Sequence, residues 1–332
     1  MNQTFSGIRN SGGIRDGAGI RRLVGGVIIS LTLLCSNILV VAQTEPASPL
    51  VLVSARPIHS IVSAVMSGTG TPELLISGSA SPHTYALKPS DARKLENAEI
   101  IFWVGLGLET FLQNPLRTLA ASARIHALSD TPGLIRLPIR AGGLWEAHEH
   151  DQTEQSVRDM TPIDPHFWLD PRNGAAMAHF IAEILGRANP AHAARYRDNA
   201  GGFAMRMAEI DAELSSRIGP ARAQDYIVFH DAYQYFESRY GLSPIGAVSV
   251  AADRPAGARR IVEIRNRIQN AGVKCVFSPP QFPPRLVATL TENAETQSAE
   301  LDDLGTDITA GAGLYEALLV RMADDFLSCL TR

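Results

Sequence analysis

Short apolar segments alternate with segments of helical periodicity along most of this chain, and that alternation restricts its fold more than any other feature. Helical stretches carry apolar residues every three or four positions, as at Ile58, Ile61, Val62 and Val65. The apolar runs that predict strands comprise residues 50–53, 73–76, 99–104, 226–229, 244–248 and 273–277. Strands that alternate with helices form parallel sheets covered by helices, so the sequence predicts an α/β fold.

The alternation occurs on both sides of one long helical segment, which predicts two lobes. Residues 43–190 are expected to form the N-terminal lobe and residues 219–332 the C-terminal lobe. Residues 191–218 predict a long helix that ends at Gly219-Pro220, a helix stop signal. Because no flexible stretch rich in glycine and serine joins the lobes, we expect this helix to be a rigid link, with a cleft between the lobes.

The first 42 residues have the pattern of a secretory signal peptide. Arginines at positions 9, 15, 21 and 22 precede an apolar run at residues 23–41, and small residues follow up to Ala42. The alternative is an uncleaved membrane anchor, which Asn37 and interrupting glycines in the run disfavour. We therefore expect an exported protein whose fold begins after residue 42.

Removal of the signal would leave two cysteines, Cys275 and Cys329, in the exported chain. A pair of cysteines in an oxidising compartment usually forms a disulfide. The alternative is a metal site with two thiolate ligands, for which no third soft ligand lies nearby. The expected disulfide would tie a strand to the C-terminal helix.

The charge balance argues against one class of partner. Lysine and arginine number 30 against 34 for aspartate and glutamate, which gives a formal net charge of −4. A chain of this composition has no electrostatic reason to bind nucleic acid or an anionic membrane surface.

Three histidines stand where an α/β fold gathers ligand-binding groups. His83 follows the second predicted strand, His230 ends the first strand of the second lobe, and His166 lies between the lobes. Side chains at the carboxyl ends of parallel strands face the ligand crevice, so these residues can meet in one cleft. Each of them alone could be a solvated or backbone-bonded histidine. Together they predict a zinc site, with Asp302 or water in the fourth position.

Two further histidines, His148 and His150, lie in a polar insertion at residues 141–160. A short tract of histidines and carboxylates can gather metal ions loosely. An ordinary solvated loop explains the two residues equally well, so the residues leave both interpretations open.

Asp231 follows His230 directly and has two interpretations. It could accept a hydrogen bond from the ring of a metal-bound histidine. It could instead cap the helix that follows, and we favour the cap. The remaining histidines, His59, His126, His179 and His192, are assigned to helices or to positions before turns, without a role in binding.

Several motifs, in the same order, resemble those of a known family. The sequence reads Ser-Pro-His-Thr-Tyr at 81–85, His-Phe-Trp-Leu-Asp-Pro at 166–171, Val-Phe-His-Asp-Ala-Tyr at 228–233 and Leu-Asp-Asp-Leu-Gly at 301–305. These segments closely resemble the signatures of ZnuA-type solute-binding proteins of bacterial zinc-uptake ABC transporters, the metal-binding cluster A-I. The likeness extends to the cysteine pair and covers essentially the whole mature chain.

The resemblance implies a periplasmic, monomeric protein without enzymatic activity. It would carry Zn²⁺ as cargo for a membrane permease of the ABC type. His83 and His166 from the first lobe and His230 from the second would hold the metal, and the fourth carboxylate of the family maps to Asp302. A glutamate beside the first histidine is absent, because Pro82 and Thr84 stand there. Binding through neutral histidines should weaken as pH falls through roughly 6.5.

Two alternatives accompany this interpretation. A manganese- or iron-binding member of the same family would use Asp302 as a hard oxygen ligand. A zinc hydrolase with three histidine ligands would need a general base near its bound water. The sequence contains neither a His-Glu-x-x-His helix nor a nucleophile elbow, so we rank the hydrolase low.

Overall fold

In the computed structural model, the residues described are 48–140, 162–249, 257–282, 284–292 and 294–332. The predicted signal peptide at residues 1–42 and the tract with His148 and His150 lie outside them. Among the described residues, no helix is long and apolar enough to cross a membrane.

The first lobe contains a sheet of four parallel strands in the order β2-β1-β3-β4. Its strands are β1 (Val51–Val53), β2 (Glu73–Leu74), β3 (Ile100–Trp103) and β4 (Arg124–Ala127). Its helices are α1 (Arg56–Val65), α2 (Pro89–Asn97) and α3 (Gln113–Thr118). Ile58, Ile61, Val62 and Val65 of α1 fall on one face because they recur at helical spacing, and all four are buried.

The second lobe repeats this strand order, β6-β5-β7-β8, again with all strands parallel. Its strands are β5 (Tyr226–His230), β6 (Gly246–Ser249), β7 (Cys275–Ser278) and β8 (Gln297–Glu300). Its helices are α6 (Gln234–Tyr240), α7 (Ala258–Ala271), α8 (Pro284–Thr291) and α9 (Leu314–Leu330). In each sheet the strand order reverses beside the first strand, which is where ligands bind in such folds. The predicted α/β class with two lobes is confirmed.

Two helices connect the two sheets along the sequence. They are α4 (Pro171–Ala188) and α5 (Ala193–Arg217), joined by a single turn of 3₁₀ helix at Pro190–His192. The helix α5 packs against α4, α1 and α9. It occupies the segment that the sequence analysis assigned to the linker, and its role as a boundary between two domains stays a prediction.

A disulfide joins Cys275 of β7 to Cys329 of α9. Both residues are buried in the main apolar core, which also contains Trp168 between the lobes and Phe326 of α9. The predicted cysteine pair is therefore present, and it ties a central strand to the last helix.

The strand β4 was missed by the sequence analysis. It reads Arg-Ile-His-Ala, lies at the edge of its sheet and is partly or fully exposed. Exposure removes the apolar pattern on which strand prediction depends. His126 is therefore on a strand, where its ring packs near Phe102 with centroids 5.8 Å apart, and its assignment to a helix or turn was wrong.

Candidate metal site

The rings of His83, His166 and His230 meet at one point between the lobes. His166 Nε2 lies 3.2 Å from His83 Nε2 and 3.3 Å from His230 Nε2. One ligand nitrogen from each residue falls within 4.8 Å of the others. Two nitrogens bound to one tetrahedral zinc at 2.0–2.1 Å would be about 3.3 Å apart. The spacing of the three rings therefore suits a single small cation.

Each histidine is carried by a different kind of segment. His83 lies in the loop after β2 and is partly exposed, whereas His166 and His230 are buried. His166 stands directly before the 3₁₀ turn Phe167–Leu169, and His230 is the last residue of β5. Separate elements thus place the rings at one point, as the strand-end argument from the sequence predicted.

Asp164 orients the ring of His166. Its Oδ1 accepts hydrogen bonds from the backbone amide of His166 at 2.9 Å and from ring Nδ1 at 2.8 Å. The backbone carbonyl of Asp164 accepts a hydrogen bond from the Tyr235 hydroxyl at 3.0 Å. A carboxylate that holds the proton on Nδ1 leaves the lone pair of Nε2 free for a metal. Asp164 was not predicted as a site residue, although a carboxylate two residues before a candidate ligand is a usable signal.

No carboxylate hydrogen bond comparable to that of His166 is found for His230 or His83 among the described residues. His230 Nδ1 has no hydrogen-bond partner within the described part of the chain, and the ring packs near Phe282. The backbone amide of His83 donates to Ser81 Oγ at 3.3 Å. Further along the His83 loop, the Tyr85 hydroxyl donates to Asp91 of α2 at 2.8 Å, which anchors the loop to that helix.

The electrostatic environment separates the three rings. Burial, assisted by the nearby His166 ring, lowers the pKa of His83 to about 3. Burial and the charges of His166 and His83 lower the pKa of His230 well below its ordinary 6.5. Burial also acts against a proton on His166, but its hydrogen bond to Asp164 and the charge of that carboxylate raise its pKa above 6.5. Of the three rings, His166 therefore holds a proton most readily.

Asp302, the predicted fourth ligand, is not among the ligand atoms that come together. Its Oδ1 accepts from the amide of Leu304 at 2.9 Å, and its Oδ2 accepts from Thr306, from the amide at 2.5 Å and the hydroxyl at 2.8 Å. The next residue, Asp303, interacts electrostatically with His166, and burial raises its pKa to about 6. Coordination of the metal by Asp302 stays a prediction.

Asp231 does not cap a helix, so the favoured interpretation from the sequence was wrong. The helix α6 starts at Gln234, and its N-cap position is occupied by Tyr233 without a side-chain cap. The carboxylate of Asp231 instead accepts hydrogen bonds from the guanidinium of Arg140. The Arg140 contact was missed because 91 residues separate the partners and no local pattern links them.

Comparison with known proteins places these observations in a family. The sequence profile described as ZnuA, "Zinc-uptake complex component A periplasmic", matches residues 51–329.

The chain belongs to the ZnuA family.

Curated relatives are named "High-affinity zinc uptake system protein ZnuA". The protein of Brucella suis biovar 1 (strain 1330) is 40% identical over 306 residues, which cover 85% of this chain and 92% of the relative. That of Paracoccus denitrificans (strain Pd 1222) is 36% identical over 299 residues, with coverage of 85% and 92%. The solved structure of the periplasmic zinc binding protein TroA from Treponema pallidum superposes with a TM-score of 0.71. It is 22% identical, covers 86% of this chain and 100% of TroA, and shows that the two share a fold.

Proposed function

We propose that this protein is a periplasmic solute-binding protein that captures Zn²⁺ and delivers it to an ABC-type zinc importer. The observation that carries the proposal is the convergence of His83, His166 and His230, whose Nε2 atoms lie 3.2 and 3.3 Å apart around His166. Membership of the ZnuA family and relatives named as zinc uptake proteins support the same role.

Zinc is the cargo that this donor set favours. Imidazole nitrogens suit Zn²⁺, whereas Mn²⁺ prefers carboxylate and carbonyl oxygens. Within the described residues, the converging ligand atoms are the three ring nitrogens, without a carboxylate oxygen. In the proposal, the three histidines bind the ion, and water or Asp302 completes the tetrahedron. Measuring zinc and manganese affinity of Asp302→Asn separates the two: a coordinating Asp302 would make both affinities fall, and a water ligand would leave that of zinc unchanged.

The donor set also favours capture over catalysis. A hydrolytic zinc centre needs a base placed to take a proton from the metal-bound water. None of the described carboxylates belongs to the group of ligand atoms around the three histidines. Asp164, which is nearby, already accepts two hydrogen bonds from His166. The curated relatives are named as zinc uptake proteins rather than enzymes, and we propose a role without catalysis for this chain as well.

The proposed location and partner follow from the same reasoning. The signal-peptide pattern at residues 1–42 and a disulfide between Cys275 and Cys329 both suit export to an oxidising compartment. The permease is proposed as the partner because the chain belongs to the ZnuA family and its curated relatives are named as zinc uptake system proteins. We propose that the chain acts as a monomer with that permease as its partner.

Zinc uptake in cells tests the proposed function directly. A bacterium that lacks its own zinc-binding uptake protein would express either this chain or a variant with all three histidines changed to alanine. We expect the unaltered chain to restore growth in medium depleted of zinc by a chelator, and the variant to fail at equal protein level. Equal growth with both chains, or with neither, would contradict the proposal.

A further inference from the structure

Arg140 forms a buried ion-pair cluster with two carboxylates near the histidines. Its Nε donates to Asp231 Oδ2 at 3.1 Å, and its Nη2 donates to Asp231 Oδ1 and to Glu237 Oε2, the latter at 2.7 Å. The side chains of Asp231 and Glu237 are 4% and 2% exposed. The Tyr226 hydroxyl donates to the other oxygen of Glu237 at 3.0 Å. One guanidinium therefore holds two carboxylates that are almost fully removed from water.

The backbone on the N-terminal side of Arg140 pairs with the segment that leads to His166. The amide of Ile139 donates to Pro162 O at 3.0 Å, and the amide of Asp164 donates to Leu137 O at 2.9 Å. Pro138 and Ile163 form an antiparallel bridge between the two segments. Because Asp164 in turn holds His166, the position of Arg140 is fixed relative to the His166 ring.

The side chain of Arg140 reaches the other lobe at the residue next to His230. Asp231 follows His230 at the end of β5, and its amide donates to Ser249 O on β6 at 3.2 Å. Adjacent Cα atoms are about 3.8 Å apart, so a shift of Asp231 cannot leave His230 in place. Arg140 thus links the segment that carries His166 to the strand end that carries His230.

We propose that Arg140 is a positioning residue that sets the separation of His166 and His230 through its contact with Asp231. This inference rests on the proposed zinc-binding function and deepens it. In this proposal the contact holds the two buried nitrogens at their separation of 3.3 Å, which suits one small cation. When the ligands of a site are already in place, no binding free energy is spent on ordering them, and the affinity for the ion is higher.

Arginine is suited to this task in a way that lysine is not. The planar guanidinium donates from two nitrogens to the two oxygens of Asp231, which fixes the orientation of the carboxylate as well as its distance. An ammonium group would supply a charge without this two-point contact. Arg140→Lys should therefore keep the positive charge of the cluster and still loosen the position of His230.

The experiment compares zinc affinity, cobalt spectra and thermal stability of the full mature chain, four variants of the Arg140–Asp231 pair and one control variant. Arg140→Met removes the contact and the charge, Arg140→Lys keeps the charge, and Asp231→Asn weakens the other partner. The double variant Arg140→Met/Asp231→Asn completes a mutant cycle. Zn²⁺ affinity is measured by competition with a chelator, and Co²⁺ replaces Zn²⁺ as a probe whose visible absorption reports ligand geometry.

Arg239→Met is the matched control. Arg239 lies on α6, as Glu237 does, and donates from two nitrogens to Asp211 of α5, at 2.7 and 2.5 Å. Its loss also breaks an arginine–carboxylate pair, but the partner belongs to neither segment that carries a histidine of the site. Arg239→Met should lower the melting temperature and leave the zinc affinity and the cobalt spectrum unchanged.

We expect Arg140→Met to bind zinc about 10-fold more weakly and to shift the cobalt spectrum, as for other groups that orient metal ligands. Asp231→Asn should behave alike, and the double variant should lose no more than the single ones. Unchanged affinity and spectrum in Arg140→Met would overturn the inference, as would an equal affinity loss in Arg239→Met.

Two further results keep the test decisive. If Arg140→Met does not fold, Arg140→Lys decides the matter: weaker zinc binding by a folded protein supports the inference, and wild-type affinity overturns it. Absence of zinc binding by the unaltered chain would overturn the proposed function and the inference with it. Tight binding by both the unaltered chain and the Arg140 variants would overturn the inference alone.

Discussion

A single carboxylate oxygen of Asp164 accepts two hydrogen bonds from His166, one from the backbone amide at 2.9 Å and one from ring Nδ1 at 2.8 Å. The two residues are separated by Pro165 alone, so this contact forms within one local turn. It fixes both the rotation of the ring and the position of its proton, and it directs Nε2 towards the other two histidines. The orientation of the His166 ring is therefore fixed within three consecutive residues.

Removal of the Asp164 carboxylate should weaken zinc binding without unfolding the protein. We expect Asp164→Asn to lower zinc affinity roughly 10- to 100-fold, because the His166 ring loses the acceptor that orients it. The measurement is competition with a zinc chelator. Asp170→Asn is the matched control, since Asp170 lies four residues after His166 and caps α4 through the amide of Arg172. Equal affinity losses in both variants would show that the effect is not specific to Asp164.

Zinc binding should release one proton, from His166, when the pH lies below the pKa of that ring. His83 and His230 have lowered pKa values and are neutral near pH 7, whereas the pKa of His166 is raised above 6.5. A proton on His166 competes with the metal below that pKa, so affinity should fall from a pH above 6.5 downwards. Calorimetry in buffers of different ionisation enthalpy counts the protons. No proton release near pH 6.5, or release of two or more, would contradict this assignment.

Glu109 should make the folded protein less stable as pH rises through neutrality. It is fully buried, and burial raises its pKa to about 7 although Oε2 accepts from the amides of Val104 and Gly105. The folded state therefore binds more protons than the unfolded state between pH 4.5 and 7, and the free energy of unfolding falls by up to roughly 3 kcal/mol over that range.

The variant Glu109→Gln isolates this contribution, because its amide oxygen can still accept a hydrogen bond and does not titrate. Relative to the unaltered protein, Glu109→Gln should be more stable at pH 8 than at pH 5. Urea unfolding at both values measures the difference. The same relative stability at both pH values would mean that Glu109 is not a buried group with a raised pKa.

The disulfide should contribute strongly to stability. It links Cys275 to Cys329 across 54 residues, and closing a loop of that size in the unfolded chain typically contributes about 2–4 kcal/mol. We expect the double variant Cys275→Ala/Cys329→Ala to lose stability in that range by urea unfolding, with zinc binding retained at low temperature. A change below about 0.5 kcal/mol would indicate that the unfolded chain gains little freedom when the bridge is removed.

The fold followed from the sequence wherever periodicity was strong. The C-terminal helix expected to carry Cys329 is found at Leu314–Leu330, where apolar residues recur at helical spacing. The second strand was predicted at 73–76, whereas β2 comprises Glu73–Leu74. Leu75 and Ile76 still donate to backbone oxygens of the β1 segment, at 2.8 and 3.0 Å, so the chain stays extended beyond the assigned strand.

The three histidines of the candidate site could be predicted from the sequence. The residues that orient them and the fourth ligand could not. Strand ends locate His83 and His230, since parallel strands direct their carboxyl ends to one crevice. The Arg140 contact depends on how two lobes pack, and the choice between Asp302 and water depends on side-chain rotation in one loop. Neither the Arg140 contact nor the identity of the fourth ligand produces a repeating pattern in the sequence.

The measurement that tests the central claim most directly is competitive calorimetry with zinc and manganese on the mature protein after removal of metal by a chelator. The comparison is a variant with His83, His166 and His230 all changed to alanine. The account predicts tight binding of one zinc per chain, preference over manganese, and loss of that binding in the variant. Absence of zinc binding, or zinc binding that survives the triple change, would contradict it.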